Sequence, residues 1–337
     1  MSTLSRIVVF FLISVFTVTF SHAFEYLQPL PNKPLVPKDN PLSQAKILLG
    51  KWLFYQTGLS KNKKLSCNHC HNLLAAGSDG LPFSRGHDGK LTKRSTPALW
   101  NIGLQTVLNW DGRYKTLEEQ AEAHIKDPDI MAMSDDIVMS RFANNKEFVT
   151  LFKSASPNVN VNIKSLALAL ASFQRSLLAP NSPFDLYIQG DKTALSDLAI
   201  RGMKTFNQAG CLACHFGVNF AGPAPGPAMD IGDGFYELFP TARGSSYEKQ
   251  YKLLDDKGRY EFSKDLGEIY MWRVPSLRNI ALSPPYFHNG SAKTLREAIM
   301  VMAKVQFKID LSETQIDELS AFLRSLTGQR PRILNVK

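Results

Sequence analysis

Apolar positions in this chain recur mostly with helical spacing. Ile163 to Leu178 is rich in Leu and Ala with that period and stops before Pro180, which predicts a helix. Ser312 to Leu326 places Ile316, Leu319, Phe322, Leu323 and Leu326 on one face. It starts with a capping box (Ser312, Gln315) and ends at Gly328 before Pro331. Two further capping boxes, Thr116-x-x-Glu119 and Thr294-x-x-Glu297, predict helix starts. Phe220 to Gly244, with "AGPAPGPAMDIGDG", reads as an irregular loop, and "APNSPFD" (179–185) as an interdomain linker. No segment has a convincing strand pattern, so the expected class is mainly α.

The first residues stand apart. One positive charge (Arg6) precedes an apolar run from Ile7 to Phe20, followed by Ser21-His22-Ala23. These are the three regions of a secretory signal peptide, expected over 1–23 with cleavage before Phe24. A membrane anchor is the alternative, but the run falls short of the roughly 20 residues a spanning helix needs. The expected location is the periplasm, with no membrane span after cleavage. The net charge of +9 favours acidic partners at encounter. An exported chain without a basic cluster or nucleic-acid motif is not expected to bind nucleic acid.

The chain also repeats itself. "TPALWNIGLQTVLNWDGRYKTLEEQAEAHI" (96–125) aligns without gaps to "VPSLRNIALSPPYFHNGSAKTLREAIMVMA" (274–303) at an offset of 178. Pro97 meets Pro275, Asn101 meets Asn279, Gly112 meets Gly290, and Trp110 meets His288, which is expected to be structural. A shorter echo pairs Gly50–Phe54 with Gly202–Phe206. Eight residues after each threonine cap stand His124 and Met302, on equivalent helical faces.

All four cysteines fall into two units, Cys67-Asn-His-Cys70-His71 and Cys211-Leu-Ala-Cys214-His215. A redox pair or a zinc site explains two cysteines three apart, but not a histidine that follows at once both times. Covalent haem does: each thiol adds to a vinyl group and the adjacent imidazole ligates the iron. The expected cofactors are therefore two covalently bound haem c groups. His69, between the first pair, is expected at the surface. Met302 offers a thioether as sixth ligand in the second half, with Met300 and Met271 as alternatives, and His124 offers an imidazole in the first. The expected fold is two cytochrome c-like haem domains related by internal duplication, 24–180 and 181–330, with a tail at 331–337.

Both haem motifs, "NWDGR", "KTLEEQAEA", "APNSPFD", "VPSLRNIALSPPYFHNG" and "AFLRSLTG" resemble the bacterial dihaem cytochrome c peroxidase family, which includes the MauG-like enzymes. The resemblance covers nearly all of the mature sequence. It implies a C-terminal, high-potential haem with ligands His215 and Met302. This haem takes electrons from a small donor, a cytochrome c or cupredoxin, and passes them to an N-terminal haem that meets hydrogen peroxide. MauG-like members carry a tyrosine where Met302 stands, so the methionine favours the peroxidase branch. His71 matches the proximal ligand of the N-terminal haem and His87, in "SRGHDG", the histidine that caps it at rest. Trp110 matches the tryptophan between the haems, and Gln120 the distal-pocket glutamine. A homodimer is among the expected assemblies.

Two positions depart from the family. Ile130, in Asp127-Pro-Asp-Ile-Met131, stands where the family places its catalytic glutamate, and isoleucine moves no protons. The candidate replacement is His124, whose ordinary pKa of about 6.5 suits acid–base work. Asp129 is a neighbour that points elsewhere. His124 as a permanent iron ligand is the other reading. Ser95 stands where the family often has a calcium-binding asparagine, so a calcium ion is a further expected cofactor with one ligand shortened. The expected function is reduction of hydrogen peroxide to water. A MauG-like oxidation of a partner protein's side chains is the alternative, as is a dihaem electron carrier without chemistry of its own. Protein purified from a haem-loading host is expected to show an intact mass two porphyrins above the mature polypeptide; the bare polypeptide mass would refute the assignment.

Overall fold

The computed structural model describes residues 27–225 and 233–335. The expected leader and the cleavage point near Phe24 lie outside the described residues. The described chain is mostly helical. Its first half contains α1 (Gln44–Tyr55), α2 (Cys67–Cys70), α3 (Leu117–Lys126), α4 (Asp135–Phe142), α5 (Lys146–Ala155) and α6 (Ile163–Arg175). The second contains α7 (Pro183–Ile188), α8 (Asp197–Gln208), α9 (Ser246–Gln250), α10 (Tyr260–Ser263), α11 (Leu295–Phe307) and α12 (Glu313–Ser325). One antiparallel pair, β1 (Tyr236–Leu238) and β2 (Met271–Arg273), sets Tyr236 opposite Arg273. These strands correct the expectation of none. At three residues each they are too short to show alternation, and β1 lies in the segment read as irregular.

Two hydrophobic cores divide the molecule. One gathers α1, α3, α5 and α6, with Met131 and Met133 packed into it, and the other gathers α8, α11 and α12. In each, a helix preceding a Cys-x-x-Cys-His unit crosses a helix far along the chain: α1 on α6, α8 on α12. Glycine makes both crossings possible. A Cβ on Gly50 would lie 2.0 Å from the Ala169 carbonyl oxygen, and one on Gly202 would lie 1.9 Å from that of Glu318. The sequence echo around these glycines is therefore an echo of close helix contact.

The longer repeat has a matching geometry. Asn101 and Asn279 both take left-handed backbone, with φ of 65° and 60°. Each side-chain oxygen accepts from a main-chain N–H just beyond the partner helix, Ala179 at 2.8 Å and Gly328 at 2.9 Å. Single bridges join Leu108 to Tyr114 and Tyr286 to Ala292 at the same offset. The threonine caps differ slightly. Thr294 and Glu297 form the full capping box, whereas Glu119 reaches past Thr116 to the Lys115 N–H at 2.8 Å.

The two halves are tightly bound to each other. The segment read as a linker is buried and partly helical. Ser182 caps α7, and Asp185 accepts from Leu30 N at 3.1 Å and pairs with Arg278 at 2.7 Å. A Ser-Pro-Phe-Asp sequence that looks like a loop is also a helix start. The ends cross over as well: Leu27 packs in the second core, while Ile333 and Leu334 pack against the first. Between the halves lies the fully buried Asp111. Burial raises its pKa, but Arg113 and Arg94 outweigh this and hold it below the usual carboxylate range. Arg94 continues to Asp256, with contacts of 2.7 and 2.8 Å.

Gly202→Ala is expected to destabilise the protein by about 2 kcal/mol or more, since the methyl must push two helix backbones apart. Gly50→Ala should behave alike. Chemical denaturation of each variant measures the loss, and a change within about 0.5 kcal/mol would show the crossings to be loose.

Candidate haem sites and the cavity between the halves

The first Cys-x-x-Cys-His unit is one short helical turn. Ser66 caps α2, and the ring of exposed His69 returns the capping bond by accepting from Ser66 N at 3.0 Å. His69 thus points away from any site, as expected. His71 ends the turn, and its Nδ1 donates to the Gly77 carbonyl at 2.9 Å. That bond fixes the proton on Nδ1 and leaves the Nε2 lone pair free to take a metal. His215 repeats the arrangement, with Nδ1 on the Phe220 carbonyl at 3.0 Å. Burial lowers the pKa of both imidazoles, which keeps them neutral and ligand-competent.

The four thiols are free. Burial pushes Cys67 and Cys211 up to about 12 and Cys214 to about 11. Redox Cys-x-x-Cys pairs need the opposite, a thiol pKa lowered toward neutrality.

His124 lies on α3 close to His71. Burial first, and the nearness of His71 second, push its pKa down to about 4. Its Nδ1 lies 3.1 Å from the Gln120 carbonyl one turn earlier, and the Gln120 amide nitrogen lies 3.2 and 3.3 Å from the two ring nitrogens. Gln120 therefore braces His124, and Tyr114 meets the ring edge-on with centroids 6.2 Å apart.

His87 is elsewhere engaged. Its loop is pressed against the 127–131 turn, where a Cβ on Gly86 would lie 1.8 Å from the Asp129 carbonyl oxygen. His87 N donates to Ile130 O at 2.9 Å, and the ring Nε2 donates to Pro128 O at 2.9 Å. So in this structure the nitrogen that His71 and His215 leave toward their sites is tied, in His87, to a carbonyl. Ile130 is half-buried and packs against the first core.

A cavity of about 240 Å³ is lined by Cys211, Cys214, His215 and Met302 together with Trp110. Its walls are largely apolar, with Leu277, Ile299 and Leu323 among them. Trp110 comes from the first half, and its indole N–H donates to the Ser95 carbonyl at 2.9 Å. Ser95 also lines the cavity; its hydroxyl donates to Phe287 O at 3.0 Å. Among the described residues, no group of three or more His, Cys, Asp or Glu side chains is arranged to hold a metal ion. Apolar walls, two thiols and an imidazole with a free Nε2 fit a haem group, and Met302 adds a thioether donor.

Residues 44–193 match the family described as di-haem cytochrome c peroxidase. The chain is 34% identical over 308 residues to the cytochrome c551 peroxidase of Pseudomonas aeruginosa, covering 91% of this chain and 85% of that protein. The chain belongs to the di-haem cytochrome c peroxidase family. It is also 32% identical over 307 residues to the methylamine utilization protein MauG of Methylorubrum extorquens, covering 87% of this chain and 81% of that one. Among solved structures, a MauG-like protein associated with microbial copper homeostasis is similar with a TM-score of 0.73 and 29% identity, covering 89% of this chain and 95% of that one. The diheme peroxidase BthA from Burkholderia thailandensis shares the fold at a TM-score of 0.67 and 21% identity, over 87% and 88% of the two chains.

Membership in the di-haem peroxidase family gives the paired sites their meaning. His288, the repeat partner of Trp110, is buried and stacked on Trp272, with centroids 4.2 Å apart. Burial pushes its pKa down to about 4, and its Nε2 has no hydrogen-bond partner in the protein. The unfolded chain takes up this proton near pH 6.5 and the folded one only near 4, so stability is full above that window and falls as pH drops through it. The loss from His288 is about 3 kcal/mol by pH 4. In His288→Phe the fall in denaturation free energy between pH 7 and pH 4 should be smaller by that amount; an equal fall would mean that His288 protonates freely in the folded state.

Proposed function

We propose that this protein is an exported, periplasmic di-haem c-type peroxidase that reduces hydrogen peroxide to water with electrons from a small donor protein, a cytochrome c or a cupredoxin. Cys67 and Cys70 hold one haem and Cys211 and Cys214 the other, with His71 and His215 as proximal ligands and Met302 as sixth ligand in the second half. Bound haem supplies one-electron redox chemistry, which neither imidazole nor thioether has alone. The observation that carries the reading is the shared geometry of His71 and His215, each with Nδ1 bonded to a main-chain carbonyl and Nε2 left free. The matched left-handed asparagines and glycine crossings support an origin of the two haem domains, 24–180 and 181–330, by duplication.

In this proposal the chain's own residues divide the work. Trp110 belongs to the first half yet lines the cavity of the second, a position suited to electron transfer between them. His124 carries the proton that peroxide reduction must move from one oxygen to the other, because Ile130 cannot. Burial keeps His124 unprotonated at neutral pH, so it is ready to accept, and once protonated it is a strong donor to the leaving oxygen. Gln120 holds its ring. His87 is the capping histidine of the resting state, and to reach that position its ring must first give up the bond from Nε2 to the Pro128 carbonyl.

One observation favours a second reading. The burial that makes His124 a weak base also makes it a competent ligand, and it stands near His71. With His124 bound permanently, the first site is closed and the protein is an electron carrier. In the peroxidase, the half-reduced protein shows a high-spin haem, and His124→Ala lowers peroxide turnover with a reduced small cytochrome by about 100-fold or more. Unchanged turnover removes His124 from proton transfer. Two haems that stay low-spin in every redox state, with no turnover, make the carrier reading the right one.

A further inference from the structure

Three arginines stand out among the described residues as almost wholly buried: Arg175, Arg273 and Arg278. Arg175 is paired with Glu118, and Arg278 with Asp185. Among the described residues, no carboxylate forms an ion pair with Arg273. Its Nε donates to Asn109 O at 2.9 Å and its Nη1 to Val274 O at 3.4 Å, and both acceptors are neutral. The nearby Asp111 is committed to Arg94 and Arg113. Removing one partner of a buried ion pair costs several kcal/mol, so a guanidinium built into a core without an anion is out of balance. Burial pulls its pKa down, and Tyr236 and Asp111 oppose this only in part, which leaves it at about 10.

The missing anion has an obvious place. Arg273 lines the same cavity as Cys211, Cys214, His215 and Met302. The other ionisable groups on that wall are Glu237, Tyr286, Arg278 and His288 besides His215 and the two thiols, and Glu237 is hydrogen-bonded to the Cys214 thiol. Arg278 is already neutralised by Asp185, and buried His288 is uncharged at neutral pH. We infer that Arg273 is the counter-ion of a propionate of the haem held by Cys211 and Cys214. The inference rests on the reading of that cavity as a haem site.

A fixed cation against the propionate has two consequences. It offsets a negative charge that would favour ferric iron, and so raises the reduction potential of the Met302-ligated haem. It also keeps the propionate ionised, which uncouples that potential from pH near neutrality.

Arg273 is thus a positioning and tuning residue, and its test is electrochemical. In haem-loaded protein, Arg273→Gln should shift the reduction equilibrium of the second haem about tenfold toward the oxidised form, which is about 59 mV for one electron. The same variant should gain a pH-dependent potential between about pH 6 and 8, where the wild type stays flat. Arg273→Lys, which keeps the charge, should remain near wild type. Equal shifts in the two variants would reduce Arg273 to a space-filler, and an unchanged potential and slope in Arg273→Gln would overturn the ion pair.

The mass of the Cys211–Cys214 peptide separates this failure from that of the underlying reading. A peptide without haem sinks the site itself, whereas haem with an unmoved potential sinks only the role of Arg273. Should the variants not fold, a crystal structure of the wild-type holoprotein decides. A propionate oxygen within about 4 Å of the guanidinium supports the pair, and Arg273 facing no carboxylate overturns it.

Discussion

An imidazole that gives its Nδ1 proton to a main-chain carbonyl has its second nitrogen defined as an acceptor and its ring plane fixed. Two of the seven histidines meet that condition at the end of a Cys-x-x-Cys turn, on Gly77 and Phe220. His124 approaches it through the carbonyl one helical turn back. The backbone around each carbonyl therefore matters as much as the histidine. His71 is held by a carbonyl six residues on and His215 by one five residues on, so each motif needs the loop after it as well as the cysteines before it. His87 shows the contrasting case, since its Nε2 is the nitrogen that a carbonyl claims.

The same scaffold is used twice, but the halves are not independent. Each has its glycine-mediated helix crossing and its left-handed asparagine, which ties the start of the shared block to the end of the partner helix. Trp110 and Ser95 nonetheless belong to the first half and line the cavity of the second. The buried Asp111 sits between Arg94, Arg113 and the main chain that Arg259 grips at Asp111 O, at 3.0 Å. Buried charge networks of this kind are costly to open one partner at a time. The halves are thus held in one relative placement, which suits electron movement between two fixed sites better than a flexible tether would.

Much of this was legible in the sequence because the chemistry is local. A Cys-x-x-Cys-His unit is complete within five residues, and the offset of 178 placed His124 and Met302 on equivalent helices without any coordinates. The capping boxes at Thr294 and Ser312 were likewise readable, since the bonds they predict span three residues. What stayed hidden depends on distant partners. Arg273 reads as one more basic residue until its burial without a carboxylate is seen. The Ser182–Asp185 segment reads as a linker because the Arg278 that anchors Asp185 lies 93 residues on. His87 lies in a loop whose position is set by contact with the 127–131 turn, and no periodicity encodes that.

Ile130 shows how the first site differs from the pattern its relatives suggest. It packs against the first core, so where the family resemblance implies an acid–base group this chain has an apolar contact and no gap. The 127–131 turn still has a task, because its Pro128 and Ile130 carbonyls hold the His87 loop. In the proposed function, proton handling then falls to His124 on α3, which burial keeps uncharged. A carboxylate at position 130 would add a negative charge to the site, whereas a neutral imidazole adds none. The exchange makes the site more apolar and more dependent on a single ring, and Gln120 and Tyr114 hold that ring in place.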